Sequence, residues 1–237
     1  MLAVEELSLG YGAQPVLRQV CCKFGAAEAV ALIGRNGSGK STLAKALTSR
    51  LQPEGGRIFF NDQELPHEAP WIRARRGIVG TFQDPHGPEN LSLVEALSLT
   101  RSLANRAEAL SGDAQWGGDL LKDFLKFLDK GSLERPMSAL SFGQRKLANL
   151  ALVTYLNPRV LVLDEPVGGL APAVAAAVGG LVRAFIKRGA LVILIEHDFE
   201  FLASVCGRFL LLAEGGIVLD GSPDDVLGSS QLMRVLA

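Results

Sequence analysis

Residues 34–41 read Gly-Arg-Asn-Gly-Ser-Gly-Lys-Ser and follow the apolar run Ala29-Val30-Ala31-Leu32-Ile33. These residue types in this order can hold a polyphosphate. Gly34, Gly37 and Gly39 let the backbone turn sharply and aim its N–H groups inward. Arg35, Asn36 and Ser38 lie between them in the same cradle. A helix opening near Lys40 adds its N-terminal partial positive charge to the anion site. Lys40 would reach the terminal phosphates, the Ser41 hydroxyl would ligate Mg²⁺, and Thr42 completes the set. The plainer alternative is a glycine-rich turn that binds nothing. All eight positions match in a strand–loop–helix context, which predicts a nucleoside triphosphate as ligand.

A second group of residues could act on that ligand. Asp164 and Glu165 close the apolar run Val160-Leu161-Val162-Leu163. The carboxyl end of a buried strand is where α/β sheets place their ligands. Side chains alternate along a strand, so the two acids face different tasks. Asp164 suits Mg²⁺, and Glu165 suits polarising an attacking water. Two solvated acids at a strand end would be the bland alternative. His197 closes the next apolar run, and Gln83 follows Thr81-Phe82. A neutral amide at Gln83 could touch both Mg²⁺ and the attacking water. Tyr11, one of two tyrosines in the chain, could stack on an adenine ring or simply pack. Ser141 and Gly143, in Leu140-Ser141-Phe142-Gly143-Gln144, sit where a helix should begin, and there serine is a good N-cap.

With the phosphate loop upstream and the Asp-Glu strand downstream, the Leu-Ser-Phe-Gly-Gln segment resembles the signature of the ATP-binding-cassette family of ATPases. The resemblance covers nearly the whole chain. It implies a RecA-like nucleoside-triphosphatase core (residues 1–83 and 146–237) that includes an N-terminal antiparallel β subdomain. It also implies an inserted helical subdomain over 84–145. By resemblance Glu165 is the hydrolytic base, His197 senses the γ-phosphate, Gln83 couples nucleotide state to a transmembrane partner, and Tyr11 is the adenine platform. Ser141 and Gly143 would meet the γ-phosphate bound to a second cassette, two chains sandwiching two ATPs head to tail. Two positions depart from the family pattern: Phe142 stands where glycine is usual, and Ala171 where an aspartate is usual. Gly-Leu-Ala-Pro (169–172), Ile-Glu-His-Asp (195–198), Thr-Phe-Gln-Asp-Pro (81–85) and Glu-Asn-Leu-Ser-Leu (89–93) look like cassettes that energise branched-chain amino acid importers. The expected partners are permease subunits, a second cassette (identical or paralogous) and, indirectly, an extracytoplasmic solute-binding protein. A soluble cassette of DNA repair or translation would need a coiled-coil insert or a second cassette. A phosphotransferase would leave the signature segment unexplained.

The elements that must position these residues are legible as alternation. Residues 2–9, 16–24, 29–33, 57–60, 160–163, 191–195, 209–213 and 217–220 read as strands. Leu43, Leu47 and Leu51 predict a helix running to Pro53. Leu93, Leu97 and Leu103 mark another. A third carries Leu120, Leu121, Phe124, Leu125 and Leu128. Helices are further predicted over 142–156, stopped at Asn157-Pro158, over 172–187, and after Pro223. Glu214-Gly215-Gly216 signals a hairpin. Strands alternating with helices imply an α/β fold with a mostly parallel, doubly covered sheet.

The chain has 237 residues, enough to bury roughly 70–75% of its unfolded surface in one domain with an insert. Twenty-five acidic residues nearly cancel twenty-four basic ones, so no bulk charge points to nucleic acid. No apolar run approaches the length of a membrane span, and Glu5 and Glu6 interrupt any leader-like start. The expectation is a cytoplasmic protein held at the membrane's inner face by its permease. Cys21, Cys22 and Cys206 offer no disulfide or metal spacing and are expected to be buried. His67, His86 and His197 are too scattered for a zinc site.

Overall fold

The computed structural model describes residues 2–12, 14–81, 87–104 and 125–236, the last four residues of the second helix-bearing stretch (101–104) as backbone only. The strands are β1 (Leu2–Tyr11), β2 (Gln14–Phe24), β3 (Ala29–Ile33), β4 (Gly55–Phe60), β5 (Gln63–Glu64), β6 (Ile78–Thr81), β7 (Val160–Asp164), β8 (Leu191–Ile195), β9 (Arg208–Ala213) and β10 (Gly216–Gly221). The described helices are α1 (Lys40–Leu47), α2 (Pro70–Arg75), α3 (Leu93–Ala104), α4 (Lys130–Glu134), α5 (Phe142–Leu156), α6 (Pro172–Lys187), α7 (Phe199–Val205), α8 (Pro223–Leu227) and α9 (Ser230–Leu236).

The central sheet has the order β10-β9-β3-β8-β7-β6. All but β10 run parallel. The second sheet, β2-β1-β4-β5, is antiparallel. Every residue of β3, β7 and β8 is buried. Alternate side chains serve two cores. Ala29, Ala31 and Ile33 join α5 and α6 on one face, while Val30 and Leu32 join α1 and the antiparallel sheet on the other. A period-2 strand covered on both sides reads as continuous apolar sequence, and that is what these runs are. Because the strands are parallel, the carboxyl ends of β3, β6, β7 and β8 lie at one end of the sheet.

The structure departs from the sequence expectation in several places. Helix α1 stops at Leu47, leaving Leu51 outside it. Thr48 Oγ1 donates to the Ala44 carbonyl at 2.8 Å, and Ser49 turns left-handed at φ 60°. The amides of Arg50 and Leu51 then close onto the Lys45 carbonyl, as at a capped helix end. β5, β6, α2, α4 and α7 were not predicted. The stretch after Pro223 forms two short helices rather than one. The expected helix through Leu120, Leu121 and Phe124 falls outside the described residues. The hairpin at Glu214-Gly215 is formed with both residues at positive φ (54° and 81°), a mirror-image turn that matches strand twist. Cys22 and Cys206 are buried, and burial pushes both thiols up to about 12. Cys21 is exposed instead, because strand alternation puts it on the face opposite Cys22.

Arg73 is a buried cation, only 1% exposed. Its Nε donates to Glu68 Oε1 at 3.0 Å and its Nη2 to the Pro66 carbonyl at 2.7 Å. Removing it takes a donor from the Pro66 carbonyl, while Arg76 Nε still pairs with Glu68 at 3.0 Å. Arg73→Met should therefore cost about 2 kcal/mol, a drop of roughly 4–8 °C in melting temperature. A melting curve unchanged from wild type would contradict this.

Candidate functional site

The loop after β3 is shaped by its glycines. Gly34 has φ 149°, and a Cβ placed there would lie 2.2 Å from the Leu212 carbonyl oxygen. At Gly39, φ is 106° and a Cβ would meet Leu17 Cδ2 at 2.6 Å. Gly37 has φ 81° with open space around it. Arg35, Asn36 and Gly37 are exposed, whereas Lys40 and Thr42 are 6% exposed. Lys40 Nζ donates to the carbonyls of Gly34 and Arg35, each at 2.8 Å. Burial lowers the Lys40 pKa, and the carboxylates of Asp164 and Glu165 oppose that shift. The two acids are thus electrostatic neighbours of the loop's cation, though they lie over 120 residues away in sequence. Ser38 Oγ is buried without a hydrogen-bond partner among the described residues.

These facts separate two glycine substitutions. Gly34→Ala meets a backbone oxygen and should lower nucleotide affinity at least tenfold. Gly37→Ala carries only the left-handed backbone penalty, about 1 kcal/mol. Equilibrium ATP titration of both variants checks the difference, and equal behaviour would contradict it.

Asp164, 3% exposed, ends β7. Desolvation raises its pKa, while a hydrogen bond from Ser41 and the charge of Lys40 act the other way. A buried carboxylate beside a hydroxyl offers two hard oxygen ligands at one point, a donor set that fits Mg²⁺. Glu165 leaves the strand at φ 50°, a left-handed conformation rare outside glycine. Its amide donates to the Ile195 carbonyl at 2.8 Å. Its Oε1 stands 3.4 Å from His197 Nε2, with His197 half-exposed after β8. Strand order therefore unites Lys40, Ser41, Asp164, Glu165 and His197 at the carboxyl end of the sheet.

Ser141 and Gly143 have different surroundings. Ser141 caps α5: its Oγ accepts the Gln144 amide, and Gln144 Oε1 accepts the Ser141 amide, a complete capping box. Gln144 Nε2 donates to Ser132 Oγ at 2.9 Å. A Cβ on Gly143 would touch Leu170. Phe142 is exposed beside them. Ala171 stands at the N-cap of α6 with no side-chain hydrogen bond. Tyr11 is exposed at the end of β1, paired across the hairpin with Gln14. Gln83 lies outside the described residues. Sequence reasoning missed Lys146 and Glu196. Both are buried and both bind the backbone around Glu165, but Lys146 follows Gln144-Arg145 and Glu196 precedes His197-Asp198, so nothing in the local sequence marked them.

The family model described as ABC transporter matches residues 17–168. An ABC transporter ATP-binding protein of Streptomyces coelicolor is 35% identical over 93% of this chain and 38% of its own length. An energy-coupling factor transporter ATP-binding protein of Clostridium perfringens is 30% identical over 99% of this chain and 82% of its own. A ribose import ATP-binding protein of Streptomyces avermitilis is 30% identical over 96% of this chain and 46% of its own. The chain thus spans less than half the length of the first and third relatives. Among solved structures, an ATP-binding subunit of an ABC transporter superposes with a TM-score of 0.83 at 28% identity, covering 100% of this chain and 95% of that one. A Clostridium perfringens cassette that is part of an ABC transporter complex gives 0.74 at 28% identity, covering 98% and 92%.

Proposed function

Because the chain belongs to the ABC transporter family as one of its ATPase domains, we propose that it binds ATP with Mg²⁺ and hydrolyses it to drive a separate membrane-spanning permease. The observation that carries this reading is the convergence of Lys40, Asp164, Glu165 and His197 at one end of the parallel sheet. The loop amides and Lys40 hold the phosphates. Ser41 and Asp164 would hold the metal, which supplies charge neutralisation on the phosphate oxygens. Glu165, fixed by its own backbone bonds, polarises the attacking water, and His197, 3.4 Å from its carboxylate, would sense the γ-phosphate. Ser141 and Gly143 would face a nucleotide held by a second chain: within this chain Ser141 is engaged by Gln144 in the helix cap and Gly143 lies against Leu170.

Among the described residues no helix is long and apolar enough to cross a membrane. A permease partner is therefore part of the proposal, supported by the solved relative that is part of a transporter complex. The amino-acid cargo rests on four short segments alone. Relatives carry the names of ribose import and energy-coupling factor transport. The proposal is accordingly import of a small solute.

Lys40→Ala tests the nucleotide site. It deletes the loop's buried ammonium, the charge proposed to face the terminal phosphates, so ATP affinity should fall at least tenfold. ATP affinity within twofold of wild type would sink the assignment.

A further inference from the structure

Two buried charges of opposite sign grip the turn that carries Glu165. Lys146, 6% exposed, lies one turn into α5. Its Nζ donates to the carbonyl oxygens of Glu165 at 2.7 Å and Gly168 at 2.8 Å. Glu196, 5% exposed, follows β8. Its Oε1 accepts the amides of Val167 at 2.7 Å and Gly168 at 3.1 Å, and its Oε2 accepts the His197 amide at 3.1 Å. The cation takes the turn's carbonyls and the anion its amides, so each charge meets groups of the right polarity. Phe142 adds a third side: its ring centroid is 5.2 Å from Lys146 Nζ, within cation–π range. Phe142 and Lys146 are four residues apart on α5, hence on one face.

A mere solubilising lysine would not be buried with two backbone acceptors, and Glu165 is held in a left-handed conformation that surrounding contacts must maintain. We propose that Lys146 is a positioning residue for hydrolysis, fastening the Glu165–Gly168 turn to the helix that Ser141 heads. The start of α5 and the Glu165 carboxylate then move as one unit. Contact of Ser141 and Gly143 with the partner-bound γ-phosphate is thereby felt at the chain's own Glu165. Phe142, the departure from the usual signature, covers the ammonium that makes the link. The inference rests on the ATPase reading above, and its test separates the two.

Lys146→Met keeps the apolar stem and removes the donors; Lys146→Arg keeps a cation. The readouts are kcat and KM for ATP, melting temperature, and amide hydrogen exchange at Val167 and Gly168. In Lys146→Met, kcat should fall at least tenfold with KM within twofold of wild type, and exchange at both amides should rise at least tenfold. Lys146→Arg should return kcat to within about threefold. Lys146→Gln, which retains one amide donor, gives the same split at smaller size should the methionine form not fold. Unchanged exchange at Val167 and Gly168 overturns the inference whether or not the chain hydrolyses ATP. A parallel loss of kcat, ATP affinity and melting temperature also overturns it, since that is a structural role alone. A wild-type chain without ATPase activity overturns the functional reading instead, and the exchange experiment still decides on Lys146.

Discussion

Glu165→Gln should lower ATP turnover by about 10²-fold or more while ATP affinity stays near the wild-type value. A hundredfold loss corresponds to about 2.7 kcal/mol of transition-state stabilisation, within the range for removal of a positioned general base. The structure gives the reason for the selectivity. Asp164 is buried and engaged by the Ser41 hydroxyl, which suits it to the proposed metal rather than to the water. Glu165 is part-exposed, with its carboxylate 3.4 Å from His197 Nε2. Glutamine keeps the volume and the backbone contacts but cannot take a proton from water. Phosphate release at saturating ATP, beside an ATP titration of the same sample, checks both halves. Turnover within threefold of wild type would remove Glu165 from the role.

The phosphate loop and the acid pair were legible because each is a local pattern attached to an apolar strand. Gly34, Gly39 and Lys40 needed only neighbouring residues to announce themselves. Helix α5 was readable to its ends, since Ser141 caps it and Asn157-Pro158 stops it. β6 was not readable. It has four residues between Gly77 and Phe82, and only pairing with β7 makes it a strand. The early end of α1 was hidden because leucine spacing continued past a turn made by Thr48 and Ser49. Lys146 and Glu196 were the larger omission. Their partners lie 19 and 29 residues away, so no window of sequence shows that these charges are buried against the Glu165 turn. Tyr11 shows the reverse limit: its place beside a glycine was plain, but its exposure at a strand end comes from the hairpin with Gln14.

The central claim is that one ATP is enclosed by two chains. Ser141 caps α5 with Gly143 in its first turn, and a helix start is a ready anion site. ADP lacks the γ-phosphate that would bridge this helix to the loop of the other chain. Hydrolysis dissolves the bridge, so blocking hydrolysis should preserve it. Ala171 has no polar side chain to offer across the proposed seam, which would loosen the pairing without touching the phosphates. The direct measurement is sedimentation of Glu165→Gln with ATP, with ADP and without nucleotide. The account predicts a dimer with ATP and a monomer in the other two. A monomer in all three, with full wild-type turnover per chain at low protein concentration, would contradict it.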